Sequence, residues 1–216
     1  MADTFEIEEG AEAPGHDDHG DDHHVVHEST GIDNRKLGMW VFLSSEFLFF
    51  GAFISNYLLY GGRDFDTVVP RDIYDIPFTS ISSFVLLMSS LTMVLAHHAL
   101  STGDQNGTKT WLMATALLGS VFLGGQVFEF TEFIVEYDMT LTSNPAASAF
   151  YMLTGFHGTH VALGIVMLLS LFGIARRQGG LSEEHGMNLE LVGLYWHFVD
   201  IIWIVIFTLV YLLGAA

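Results

Sequence analysis

The sequence predicts an all-α protein, an integral membrane bundle of five transmembrane helices with a disordered acidic N-terminal tail. Three observations carry that reading. Half of the residues are hydrophobic and only 15% are charged, a balance that belongs to membrane proteins. Five apolar runs each approach or exceed the ~20 residues that a helix rising ~1.5 Å per residue needs to cross ~30 Å of hydrocarbon. The net charge of −18 is concentrated at one end, where 11 of the 25 acids lie between Asp3 and Asp33.

Residues 1–34 form the tail. Acids, glycine and five histidines (His16, His19, His23, His24, His27) dominate it, and such a composition buries too little apolar surface to offset the entropy of ordering. The His-Asp-Asp-His run is a weak collector of divalent ions at most, and a solvated acidic tail is the simpler reading. The tail lacks the basic-then-apolar order of a signal peptide, so the first spanning helix is expected to direct insertion itself.

Residues 35–216 form the membrane domain. Its apolar runs extend from about Leu37 to Tyr60, Pro77 to Leu100, Thr110 to Tyr137, Ala146 to Ala175 and Leu189 to Leu213. Pro77, Asn144-Pro145 and Asn188 read as start signals, because proline and asparagine suit the first turn of a helix. Arg35, Lys36, Lys109, Arg176 and Arg177 fall on one side of the membrane, and Arg63 and Arg71 on the other. The positive-inside rule then places the N-terminus in the cytoplasm and the C-terminus outside.

Composition also excludes functions. With no cysteine there is no disulfide, thiolate metal site, iron–sulfur cluster or cysteine-attached haem. A chain with seven basic residues, two of them lysine, makes a poor nucleic-acid binder, since phosphate contacts need clustered Lys and Arg. The same abundance of carboxylates suits a surface bathed in high salt, as in a halophile. No dinucleotide-binding, P-loop or nucleophile motif occurs.

The information lies in polar groups inside the apolar runs, because an ionisable residue at mid-bilayer costs at least a few kcal/mol and marks either a helix tie or a function. Glu46, among Phe42, Phe47, Phe49 and Phe50 on the first helix, reads as a proton-exchanging or lipid-contacting acid, or as a hydrogen bond between two helices. Gln126, Glu129 and Glu132 stack on one face of the third helix, with Glu136 continuing the stripe. They form either a polar seam that holds helices together or a proton relay, and the seam is the simpler reading. His157 and His160 share a face of the fourth helix beside Gly155, Gly158 and Gly164, which permit close helix approach. His197 and Asp200 have the same spacing on the fifth, where the acid is placed to orient the imidazole. His97 and His98 end the second helix.

A two-haem b-type site wants four histidines at two depths, and the deeper candidates here are only His157, His160 and His197. A membrane di-iron site wants more histidines near one face. Neither count is met, so no metal or cofactor is expected on this chain.

Read in order, these residues resemble a family. Ser45-Glu46-Phe47-Leu48-Phe49-Phe50 resembles the Ser-Glu motif early in subunit III of cytochrome c oxidase. Ala96-His97-His98 resembles its Ala-His-His, and Gln126, Glu129 and Glu132 its Gln…Glu…Glu helix. Thr154-Gly155-Phe156-His157-Gly158-Thr159-His160 and Tyr195-Trp196-His197-Phe198-Val199-Asp200-Ile201-Ile202-Trp203 are the strongest matches. The resemblance runs from about Gly38 to Leu213 and is to the five-helix form. That form lacks the first two helices of longer members, which help to form a lipid-filled cleft, and the acidic tail has no counterpart in the family pattern.

The resemblance implies a non-catalytic subunit of a proton-pumping haem-copper terminal oxidase that reduces oxygen to water in aerobic respiration. Haem and copper would lie on subunit I, which this chain would contact directly alongside subunit II, with bound lipid. It implies that Glu46 is the family's reactive buried carboxyl, and that His97, His98, His157, His160, His197 and Asp200 are structural or lipid-contacting. Two other classes compete: a proton-coupled transporter using Glu46 and the Glu129/Glu132 seam, and a membrane b-type cytochrome.

Overall fold

A computed structural model describes residues 33–181 and 183–214. The predicted tail lies outside these residues except for its last two, and those belong to the first helix. Five helices are long and apolar enough to cross a membrane: α1 (Asn34–Tyr60), α2 (Ile76–Ser101), α3 (Gln105–Val135), α4 (Pro145–Arg177) and α5 (Glu183–Ile206), the last running into a π-helical segment, Phe207–Leu212. A 3₁₀ turn, Pro70–Asp72, lies in the connection between α1 and α2. No strand occurs among the described residues.

Four helices begin on an acidic or amide side chain that accepts a backbone N–H of the first turn. Asp33 accepts from Arg35 N, Asp75 from Phe78 N, Asp104 from Gly107 N and Asn144 from Ala147 N, at 2.7 to 3.1 Å. Each satisfies a donor that the helix itself leaves open. These caps explain where the apolar runs mislead. Asp104 starts α3 at Gln105, five residues before the apolar run at Thr110, because the polar turn Gln105–Lys109 is helical although it is not hydrophobic. Asn188 lies inside α5, which starts at Glu183, so it is not a start signal.

The loop between α2 and α3 is short. Gly103 takes a left-handed φ of 79°, and Asp104 N donates to Ala99 O, which turns the chain back within three residues and packs α2 against α3 antiparallel. Gly179, φ 77°, plays the same part after α4. Outside the spanning segments, Tyr74 packs its ring on Tyr211 at 4.5 Å and shares a 2.8 Å hydrogen bond between hydroxyls with Tyr57. Burial pushes its phenol well above the ordinary tyrosine range, so it remains a hydrogen-bond donor.

The bundle is arranged around α5. Half of the apolar stretch of α5 is buried, against 11% for α1. Trp40, Leu48, Ile81, Val121, Val166 and Ile201 are exposed along the outer faces, as required of helices bathed in hydrocarbon. Two tryptophans on α5 enter the interior. Trp196 Nε1 donates to Ser89 Oγ at 3.0 Å and Trp203 Nε1 to Ser83 Oγ at 2.8 Å, tying α5 to α2. The Trp196 ring fits only because Gly119 on α3 and Gly164 on α4 lack side chains: a Cβ would stand 2.5 Å and 2.7 Å from ring atoms. Trp203 stacks on His157 of α4 at 4.9 Å and meets Phe122 of α3 edge-on at 4.8 Å.

The π segment closes the bundle. Leu213 N donates to Thr208 O, five residues back, and a Cβ at Gly214 would stand 2.1 Å from Val210 O, so glycine is required there.

Close packing at Trp196 gives a direct test. Gly164→Ala places a methyl group against the indole and is expected to destabilise the protein by about 1–3 kcal/mol, the usual range for overpacking. Gly173→Ala, on the same helix with nothing within 4 Å, is expected to leave the thermal unfolding midpoint in detergent unchanged or higher. Equal midpoints for the two variants would contradict the wedge.

Candidate functional site

The residues singled out in the sequence separate into distinct places. The first joins α1 to α4. Glu46 Oε2 lies 3.1 Å from His160 Nε2, and both side chains are mostly buried, at 18% and 12% exposed. His160 Nδ1 lies 2.7 Å from the carbonyl oxygen of Phe156. A carbonyl can only accept, so Nδ1 carries the hydrogen and donates. The Nε2 lone pair of a neutral imidazole would then face a carboxylate with no hydrogen between them. One proton must therefore sit between Nε2 and Oε2, giving either imidazolium with carboxylate or imidazole with carboxylic acid. Both forms are neutral overall, which suits an apolar surrounding where an unpaired charge is costly. Phe50 lies 5.0 Å from the imidazole, Tyr195 is stacked at 6.5 Å, and the Tyr195 hydroxyl donates to His160 O at 3.1 Å. The arrangement can hold one proton and hand it between two atoms.

The second place lies among α2, α3 and the π segment. Glu129 is buried, with Oε2 accepting from the Tyr211 hydroxyl at 2.9 Å and Oε1 lying 3.1 Å from Thr79 Oγ1. Gln126, one turn earlier, reaches the other way, its Nε2 donating to Thr154 O of α4 at 2.6 Å, beside Gly158, whose missing Cβ makes room for the amide. Because Thr154 O accepts, Gln126 Oε1 faces elsewhere and has no hydrogen-bond partner. Glu132 is half-buried and Glu136 exposed. The stripe thus runs from interior to surface, and its two buried members tie α3 to three neighbours.

The third place is on α5 and the end of α2. His197 is half-buried with Nδ1 3.1 Å from Ser90 Oγ, and Asp200, buried, takes its hydrogen bond from the same serine. The expected orientation of His197 by Asp200 does not occur: their i, i+3 spacing puts them on one face, but both turn to Ser90 on the facing helix. His97 and His98 are exposed and line an open groove with His197. His157 is the most enclosed histidine, with neither ring nitrogen hydrogen-bonded; the ring is held by Trp203, Phe122 and Phe50.

Among the described residues no group of three or more His, Asp or Glu side chains is disposed to hold a metal ion. The tail histidines lie outside those residues.

Sequence reading missed the partners. Tyr195, Tyr211, Thr79, Ser83, Ser89 and Ser90 complete these contacts, yet serine, threonine and tyrosine in apolar helices usually bond their own backbone or none. The signal available for the Glu46–His160 pair was an acid and an imidazole on antiparallel helices.

Comparison with known proteins places these elements in a family. A profile described as cytochrome c oxidase subunit III matches residues 18–215. The chain is 37% identical over 181 residues to cytochrome c oxidase subunit 3 of Alkalihalophilus pseudofirmus, covering 84% of this chain and 87% of that protein. It is 37% identical over 198 residues to a probable quinol oxidase subunit 3 of Staphylococcus saprophyticus, covering 88% and 98%. It is 36% identical over 189 residues to cytochrome c oxidase subunit 3 of Thermostichus vulcanus, covering 88% and 92%. With its five membrane-spanning helices and a match over nearly its whole length, the chain belongs to the cytochrome c oxidase subunit III family.

Proposed function

We propose that this chain is the non-redox third subunit of a haem-copper terminal oxidase that reduces oxygen to water and pumps protons, packed directly against subunit I, with subunit II in the same complex. Haem and copper lie on subunit I, and this chain supports its stability and its proton uptake. The observation that carries the proposal is the Glu46–His160 pair in a chain of this family: a proton-holding contact built into a helix interface, where the other buried polar groups serve as ties between helices. Family membership displaces the proton-coupled transporter and the b-type cytochrome.

In this reading Glu46 is the proton- or lipid-linked acid. Gln126 and Glu129 form the polar seam with Glu132 at its margin, and His97, His98, His157, His160, His197 and Asp200 have structural or lipid-contacting roles. The N-terminus faces the cytoplasm, supported by the five basic residues at that end of the bundle against two at the other. Carboxylate-rich, lysine-poor composition supports a high-salt setting.

Three measurements test it. Affinity purification from native membranes should yield haem and copper with a larger partner, and the chain should be colourless once dissociated. Haem retained by the separated chain, or a native preparation with neither haem nor partner, would sink the assignment. Glu46→Gln keeps a hydrogen bond, since the amide can donate to His160 Nε2, but removes the transferable proton. It should leave assembly and initial oxygen uptake near wild type while lowering proton coupling or the number of turnovers before inactivation; complete loss of initial activity in an assembled complex contradicts the role. His157→Ala removes a fully enclosed ring stacked on Trp203, at a cost of about 2–5 kcal/mol by comparison with large-to-small core changes. The yield of complex should fall while haem per remaining subunit I stays constant, as read from the pyridine-haem spectrum.

A further inference from the structure

We infer that the groove between α1 and α2 binds one phosphate-headed membrane lipid, with its hydrocarbon chain lying on α5 and its head beside His97, His98 and Lys36. This deepens the lipid contact proposed above and rests on it.

α1 and α2 scarcely touch each other, and both lean on α5 instead. The gap holds two volumes, about 520 Å³ and about 370 Å³, each in the ~300–1,000 Å³ range of ligand sites. Leu194 and His197 line both, so the two are one continuous groove. Its inner length is almost wholly apolar, between Trp40 and Phe47 of α1 and Phe198 and Ile201 of α5. Its other end, where α2 finishes and α1 and α5 start, is polar, with His97, His98, Ser101 and Glu190.

The dimensions decide the occupant. From Lys36 at the polar end to Leu48 at the apolar end is 12 residues, or ~18 Å of helix at ~1.5 Å per residue. That is close to half of the ~30 Å hydrocarbon core, the depth of one leaflet. A partner's transmembrane helix would need a groove along the full height of the bundle, whereas one lipid chain fills this one.

The polar end carries both signs. Lys36 Nζ is 2.7 Å from Glu190 Oε1, which places a cation at the mouth but already partnered by a carboxylate. His97 and His98 are exposed and supply the ring N–H donors that a phosphate oxygen accepts. The His197 ring, set by Ser90 at 3.1 Å, marks where polar head gives way to chain.

Ser44→Trp tests the groove from inside. Ser44 is exposed, lines the apolar length and bonds only its own helix, at Trp40 O, so an indole there fills the groove without removing a packing contact. Ser170→Trp is the matched control, an exposed serine bonded to Val166 O away from the groove. Both variants are purified as the assembled complex, and retained phospholipids are counted by native mass spectrometry. The expected result is one phospholipid fewer per complex in Ser44→Trp than in wild type or Ser170→Trp, with reduced occupancy in the His97→Ala, His98→Ala double variant. Equal lipid counts in the two tryptophan variants overturn the inference, and so does loss of assembly in Ser44→Trp alone, which would make the groove a protein interface. The haem spectrum of the same samples keeps the two readings apart. Absence of haem refutes the oxidase assignment, whereas haem with an unchanged lipid count refutes only the groove.

Discussion

The structure depends on the insertion of two indoles from α5 into the middle of the bundle. Lipid gives the helices no hydrophobic reason to associate, since an apolar side chain is as well solvated by hydrocarbon as by a neighbouring helix. Association rests on close packing and on hydrogen bonds made across helices. Trp196 and Trp203 provide both. They are seven residues apart, two turns of helix, so they leave α5 on the same face and meet two serines of α2, Ser89 and Ser83, six apart on the facing antiparallel helix. The remaining edges of the rings are enclosed by α3 and α4, and only the glycines at 119 and 164 make that approach possible.

From this arrangement follows the distribution of the other polar groups. α5 touches α1, α2 and α4, so it blocks direct contact between α1 and α2 and leaves α1 held by α4 and α5. α1 therefore needs a specific attachment to α4, and Glu46 with His160 supplies it. At the opposite end, the helical register of α5 loosens into the π segment, which brings Tyr211 onto Glu129 while Val210 and Ile206 stay buried. A regular α-helix offers one buried stripe. The wider π turn lets two successive residues, Val210 and Tyr211, both face inward.

What the sequence revealed follows the same division. Five spans were legible because hydropathy over ~20 residues is a long-window signal. Helix starts were legible where proline or asparagine stood beside the apolar run, as at Pro77 and Asn144. They were misjudged where a polar turn preceded it, as at Asp104, or where an asparagine sat within the helix, as at Asn188. The intramembrane acids and histidines were also legible, since any ionisable group in an apolar run stands out. Their pairing was not. His157 and His160 look alike in sequence, each beside a glycine or threonine on one helix, yet one meets Glu46 and the other meets only rings. Asp200 and His197 were expected to pair because spacing on one helix is visible in sequence; Ser90, which takes both, is on another helix and is chemically unremarked among many serines.

The Glu46–His160 contact differs in kind from the other ties because of one backbone bond. Trp203 to Ser83, Tyr211 to Glu129 and Gln126 to Thr154 each have a donor that keeps its hydrogen whichever way the contact is drawn. At His160 the Phe156 carbonyl fixes the hydrogen of Nδ1, and the proton facing Glu46 belongs to neither partner exclusively. Moving it across 3.1 Å changes both formal charges but not their sum, so the pair can alter its internal dipole within a low-dielectric wall of Phe49, Phe50 and Tyr195 without placing a net charge in the membrane. Gaining or losing that proton altogether does change the net charge and is opposed by the same wall. The contact is thus stable as a structural link and costly to titrate. Such a site answers to a change in its immediate polarity, such as a lipid head or water reaching it, more readily than to the pH of either aqueous phase.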